Sequence, residues 1–574
     1  MESDTPHRRH FVTVEPRGKP ARQVHYRRAG AGPPVILLHK SPESSHEYEH
    51  QLHVWAADFT VFAIDTPGYG LSDPLPDDEL GRGLAPFADN VAAVMDALGL
   101  QKVGLYGAHT GGMVALAFAC RHPTRADAVV INGIVALTDD EKAGILANYF
   151  DDFTPQRDGR HLTRVWHRIR DQLIFFPWYD KSMAARGRMR DTFDVPDAAA
   201  LHPNLLDLLR TGVHERDGYS AAFSSNGATM VAHIQAPTVI MDDSGSILIG
   251  QLDRLPQPLP AHVTVEIHPT QAALEQRARA VFKARTSAAV PDQVASATIA
   301  GRPWSFYADT PKGQIFGRRS HGGRGRTVVL VHDIGRSSCQ WRDLMAMLQD
   351  RRPIVAFDLP GHGETGDLCR PDLTAVGLAD AIVAALAFLG VGVGVGEIDL
   401  IAAGGGAVIA LEVARRCTVA SLVVIDGWVL PASERTALAG RLAPDLTPNQ
   451  HGGHLAAAWY AARDAELFWP WSATNRGNAI GRPAELALEA IHANACDLLK
   501  AHPWHGRIAD AVLAIDAEAL IAAVSCPITF AAQQGSAQRS GAERAAAAAP
   551  QGRFMTLSDD PSRRWAAIAA TVGT

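Results

Sequence analysis

One feature constrains this 574-residue chain more than any other: its sequence repeats at a separation of 293 positions. Val35-Ile-Leu-Leu-His39 returns as Val328-Val-Leu-Val-His332, and each is followed by a serine pair, Ser44-Ser45 and Ser337-Ser338. The next apolar segment ends Phe62-Ala-Ile-Asp65 in one half and Val355-Ala-Phe-Asp358 in the other. Each Asp opens the same kind of loop, Pro67-Gly68-Tyr69-Gly70 against Pro360-Gly361-His362-Gly363. Further on, Gly159, His161, Leu162, Trp166, Arg170, Asp171, Phe175, Pro177 and Trp178 recur as Gly452, His454, Leu455, Trp459, Arg463, Asp464, Phe468, Pro470 and Trp471. Chance does not match nine positions, several of rare residue type, at one offset. A duplicated and fused unit does.

Two domains are therefore expected, over residues 1–285 and 290–574. The seam falls near Ala284–Ser296, where a helical stretch ending at Lys283 gives way to small residues and Pro291. So short a linker implies that the halves pack against one another, and a homo-oligomer is compatible with the sequence. Apolar residues make up 47% and charged residues 20%, the balance of an ordinary soluble globular protein. The net charge of −7 is spread along the chain, so no basic face is offered to nucleic acid. The opening, Met1 to Arg28, lacks the apolar core of a secretory signal, and no apolar run is long enough to span a bilayer. Six scattered cysteines without a C-x-x-C pair read as buried small side chains in a reducing compartment, which makes the cytoplasm the expected location. Nothing has metal-ligand spacing, and no cofactor is expected.

Within the first half, two short alternating stretches, Phe11–Glu15 and Gln23–Arg28, predict an opening hairpin. Apolar strands follow near 35–38, 60–64, 102–106, 127–131, 237–241 and 263–267, alternating with helix-length segments. That alternation predicts an α/β fold, a mostly parallel sheet covered by helices on both faces. Between Asn132 and Pro237 the alternation stops and the chain reads as helical and aromatic-rich. A helical cap over about 133–236 is expected, with its counterpart over about 427–526. The strand-end His39, the loop Asp65-Thr-Pro-Gly-Tyr-Gly-Leu-Ser72 and the turn after the third core strand together resemble the cap-containing α/β-hydrolase superfamily, twice over. The resemblance implies two α/β-hydrolase-fold domains in tandem. It does not by itself imply an activity.

That third turn is where the family carries its nucleophile, on a tight strand-to-helix elbow, G-x-S-x-G. Here it reads Gly107-Ala108-His109-Thr110-Gly111, with histidine at the nucleophile position. The second half reads Ala403-Gly404-Gly405-Gly406, and Gly404 has no side chain with which to attack or move a proton. The resemblance places the family's acid at Ser246, with Asp242 and Asp243 a few residues short, and its histidine at Thr270, with His268 two positions away. The matching counts in the second half reach Ser536 and Ser558–Asp560, where no histidine stands. Both catalytic triads are degenerate by this reading.

What the resemblance preserves is the oxyanion hole, made of backbone N–H groups that survive side-chain change: those of Thr110 and Ser41. A histidine beside such a hole, with an ordinary pKa of about 6.5, suits general base or acid work. The candidate catalytic group is therefore His109, Ser41, Thr110, His268 and Asp243. Candidate substrate-binding residues are Lys40, beside the hole, and Trp166, Arg170, Trp178 and His161 of the cap motif. For the cap residues the competing reading is packing, because the motif recurs in the half with the empty elbow. His39 and Asp65 read as loop-ordering residues. The run Gly390–Gly396 precedes its strand and so cannot set phosphate on a helix N-terminus. Two functions remain open. One is a hydrolase or lyase without a serine nucleophile, acting on a small carbonyl- or carboxylate-bearing substrate. The other is a pseudo-hydrolase that binds ligand or serves as a scaffold. A pocket at the junction of the halves, using residues such as Asp426, is a weaker third.

Overall fold

The computed structural model describes residues 7–186, 195–284, 290–291, 297–366, 368, 373–392 and 396–572. Most of the expected seam, Val393–Val395 of the glycine–valine run, Cys369 and the first six residues lie outside these. The chain divides into two compact units, Met1–Thr154 with Arg164–Ile299, and Pro155–Thr163 with Ala300–Thr574. Pro155–Thr163, read from the sequence as part of the first cap, thus belongs to the second unit.

The first unit is built on eight strands: β1 (Arg8–Val14), β2 (Arg22–Ala29), β3 (Pro34–Leu38), β4 (Thr60–Ile64), β5 (Val103–Ala108), β6 (Ala126–Asn132), β7 (Thr238–Asp243) and β8 (Val263–His268). They form one sheet in the order β1-β2-β4-β3-β5-β6-β7-β8. The hairpin β1–β2 pairs Arg8 with Arg28 through Val14 with Arg22, and β2 runs antiparallel to β4; every pair from β4 to β8 is parallel. β3 and β5 are buried along their whole length, which is why they read as unbroken apolar runs and not as alternation.

The second unit repeats the plan with β9 (Trp304–Thr310), β10 (Gly313–Ser320), β11 (Thr327–Val331), β12 (Ile354–Phe357), β13 (Ile398–Ala403), β14 (Val419–Ile425), β15 (Ile528–Gln533) and β16 (Gly552–Leu557). Their order, β9-β10-β12-β11-β13-β14-β15-β16, is the same permutation.

Helices cover both faces of each sheet. In the first unit Trp55, Phe59, Tyr106 and Phe282 pack edge-on beneath one face. Burying each such side chain contributes roughly 1.5–3 kcal/mol. Between β6 and β7 the described residues form six α-helices, among them Arg160–Ile174, Ala198–Thr211 and Glu215–Ser224. The helix Asp139–Asn148 starts on a reciprocal cap, Thr138 accepting from the Glu141 amide while Glu141 accepts from the Thr138 amide. Five helices occupy the matching stretch between β14 and β15.

From β3 the chain turns one way to β4 and the other way to β5. The carboxyl ends of β3 and β5 therefore adjoin where the strand order reverses, the kind of switch point at which open α/β sheets bind ligands. Loop 39–44 and the His109 turn lie there.

Candidate functional site

The elbow is a strained point of the first unit. His109, between β5 and the helix Thr110–Arg121, has φ 47° and ψ −110°. Among the described residues only His109 and Asp426 are non-glycine with positive φ. Such a conformation costs about 1–3 kcal/mol and persists where its surroundings over-determine it. The His109 amide donates to the Asn132 carbonyl at 2.8 Å, and its carbonyl accepts from Met113 at 3.0 Å. A side chain on Gly111 would run into the backbone of Leu38 and His39, so the tight turn needs glycine there. The imidazole is half-buried and lies over Gly133, where a Cβ would meet its Cδ2 at 2.7 Å, with the Leu248 side chain alongside.

Loop 39–44 is held from three sides. His39 donates from Nδ1 to the Lys40 carbonyl (2.9 Å) and accepts the Thr66 amide on Nε2 (3.0 Å), which fixes its tautomer. Burial holds the His39 pKa below the usual value. Asp65 accepts the amides of Ser45 (2.7 Å) and Leu71 (2.8 Å) and pairs with His25 (2.8 Å). Tyr219, reaching from the cap helix Glu215–Ser224, donates its hydroxyl to the Ser41 carbonyl at 2.7 Å. Lys40 is drawn into ion pairs with Glu47 (2.8 Å) and Glu43 (3.1 Å), while its amide donates to Glu47 at 2.9 Å. Burial alone would lower the Lys40 pKa; the two carboxylates reverse this and raise it.

The remaining candidates are placed as follows. His268 ends β8, its Nε2 3.2 Å from a Glu266 oxygen that also accepts from Arg277 at 2.9 Å. Asp243 lies beside it in register and accepts the Gly245 amide at 2.9 Å. Ser246 accepts the Leu248 amide at 3.2 Å, and Thr270 caps the next helix by accepting the Ala273 amide at 3.2 Å. Both positions that the family count gave to an acid and a histidine thus carry hydroxyls used in local turns.

In the cap, Trp166 is fully buried and Trp178 half-buried, its indole N–H donating to the Tyr149 carbonyl at 2.9 Å. His161 is buried against His492, ring nitrogens 3.0 Å apart, in the segment that belongs to the second unit. Arg170 is half-buried. The arginine that the cap surrounds with aromatic rings is Arg168, paired with Glu215 and lying over Tyr149 and Trp178. Neither it nor Tyr219 carried a spacing signal, since the repeated motif has Ala461 where Arg168 stands.

The second unit rearranges the same positions. The turn after β13 has Gly404 with φ 53°, its amide donating to Ile425 at 3.0 Å as His109 does to Asn132. Asp333 stands where the first unit has Lys40, and its Oδ1 accepts the amides of Ile334 and Gly405, each at 2.7 Å. Asp426, φ 45°, takes the place of Gly133 and accepts from the Ser536 hydroxyl at 2.5 Å. Burial raises the pKa of Asp426 and pushes that of Asp333 up to about 6.

Comparison with known proteins bears on the fold. A family model described as alpha/beta hydrolase fold matches residues 33–172, and one described as alpha/beta hydrolase family matches residues 328–571. The chain is 37% identical over 127 residues to a 2-hydroxy-6-oxo-6-phenylhexa-2,4-dienoate hydrolase of Burkholderia cepacia, covering 21% of this chain and 44% of that protein. It is 37% identical over 203 residues to epoxide hydrolase B of Mycobacterium tuberculosis, covering 32% of this chain and 56% of that one. The matched stretch is less than two thirds of either relative. With the doubled sheet order and two elbow turns, these matches establish that the chain belongs to the α/β-hydrolase superfamily, as two hydrolase-fold domains in one polypeptide.

Proposed function

We propose that the first unit is a hydrolase centre working without a serine nucleophile, on a small organic substrate bearing a carbonyl or carboxylate. The observation that carries this reading is the strained His109 turn: an imidazole held where the strand order reverses, next to Thr110, whose amide, with that of Ser41, the family resemblance assigns to an oxyanion hole. His109 takes a proton from water, and the hydroxide adds to the substrate carbonyl carbon. The resulting oxyanion is held by the Ser41 and Thr110 amides. Collapse breaks the bond to the leaving group, which takes the proton back from His109. A carbon leaving group makes this a hydrolytic C–C cleavage, and an oxygen one an ester or lactone hydrolysis. The relative named for a 2-hydroxy-6-oxo-dienoate acts on a compound with both a ketone and a carboxylate, which supports that substrate class.

His109→Ala is expected to abolish turnover across a panel of esters, lactones and β-diketones, while a serine-reactive phosphonate leaves the wild type untouched. Full activity in His109→Ala overturns the proposal. The alternative, a pseudo-hydrolase binding ligand or acting as a scaffold, is favoured for the second unit by Gly404 and by the Asp333 carboxylate lodged in its turn.

A further inference from the structure

In the second unit, the amides that match the pair assigned to the oxyanion hole of the first already meet on an oxygen of the chain. The two amides that meet on Asp333 Oδ1 come from different elements. Ile334 follows β11, and Gly405 opens the helix Gly406–Ala414 after β13. They are the counterparts of Ser41 and Thr110, on the two sides of the switch point. Two amide donors converging on one oxygen from separate loops form an anion cradle, which a helix N-terminus alone does not.

The turn is shaped around this occupant. A Cβ on Gly404 would collide with the Asp333 carboxylate. Backbone conformation does not exclude a side chain there, because His109 carries one at nearly the same φ, 47° against 53°. The carboxylate excludes it. A Cβ at Gly405 would meet Ile334 Cγ1 at 2.6 Å and the Trp428 ring at 3.0 Å, so the cradle's flank is apolar. Where the first unit sets Glu47 and Glu43 around Lys40, the second has Gln340, which accepts the Asp333 amide at 2.9 Å, and Arg336.

We infer that the second unit retains an intact anion cradle whose resident ligand is its own Asp333 carboxylate, and that once vacated it takes a short-chain carboxylate from solution. The amide pair supplies the charge recognition and Ile334 with Trp428 the seat for a small apolar tail. Wild-type protein excludes such ligands because the internal carboxylate competes at high effective concentration. The inference stands independently of catalysis in the first unit.

The full chain, labelled with 15N at glycine and isoleucine, tests this through the Gly405 and Ile334 amide resonances under titration with acetate at neutral pH. In wild type both are expected to stay in place through millimolar acetate. In Asp333→Ala both are expected to shift saturably, with affinity at least roughly tenfold above wild type. Equal responses in the two proteins, or a folded Asp333→Ala that ignores acetate, overturns the inference. A second measurement needs no alanine variant. In wild type both amides should titrate together with a midpoint near 6, set by burial of Asp333, with Asp426 raising it and the two amides and Arg336 lowering it. Asp333→Asn, which leaves an acceptor oxygen in the cradle, should abolish that titration. Wild-type amides indifferent to pH across this range also overturn the inference.

Discussion

Around the elbow the two units differ at three matched positions, and the differences are coupled by volume and charge. Where the elbow has an imidazole, the facing residue is Gly133 and the loop residue Lys40 is held by glutamates; where the elbow is Gly404, the facing residue is Asp426 and the loop residue Asp333 fills the vacated turn. This yields a prediction at Gly133. A methyl group there meets the His109 ring at 2.7 Å and sits at φ 72°, so Gly133→Ala should cost about 1–3 kcal/mol in stability and displace the imidazole. The expected result is a loss of kcat greater than the loss of substrate binding, measured by steady-state kinetics beside a thermal melt. Unchanged kinetics would show that the ring does not act from this position.

At the scale of elements, the cap matters through what it fastens. Tyr219 reaches from its helix to the Ser41 carbonyl, on the same residue whose amide is proposed to hold the oxyanion. Its ring stacks on Phe223 at 5.2 Å and meets Tyr149 edge-on at 5.0 Å, so the hydroxyl is delivered by packed neighbours. Tyr219→Phe keeps the ring and removes the bond, with an expected stability change of about 1 kcal/mol. A drop of several fold in kcat with KM nearly unchanged is expected, because the loop would lose one of its anchors while the ring keeps its packing against Phe223 and Tyr149. The strands, the hairpin and the elbow were legible from the sequence because each is local: apolar runs, glycines at a turn, alternation in a hairpin. The role of Tyr219 was not legible, since 178 positions separate it from Ser41. Arg168 was passed over for the repeated Trp166 and Arg170, because repetition marks shared packing as readily as shared function.

At the scale of the whole molecule, each unit has its own eight-stranded sheet and its own apolar core. Ile382 is fully buried in the core of the second unit, and Ile382→Ala should cost about 2–5 kcal/mol there. Scanning calorimetry of the full chain is expected to show the transition of the second unit moving down while that of the first keeps its place. A single transition moving as one would show that the units unfold together. Among the described residues no helix is long and apolar enough to cross a membrane. The sequence alone determined the duplication and the α/β class of each half, which are written in spacing and periodicity, and its resemblance to the family marked which residue occupies each elbow. Only the tertiary structure decided what each charge meets: Lys40 its glutamates, and Asp333 the amide of Gly405, 72 residues away in sequence. Such pairings depend on which loops the sheet order brings to one edge, a property of the folded topology that no local pattern of residues encodes.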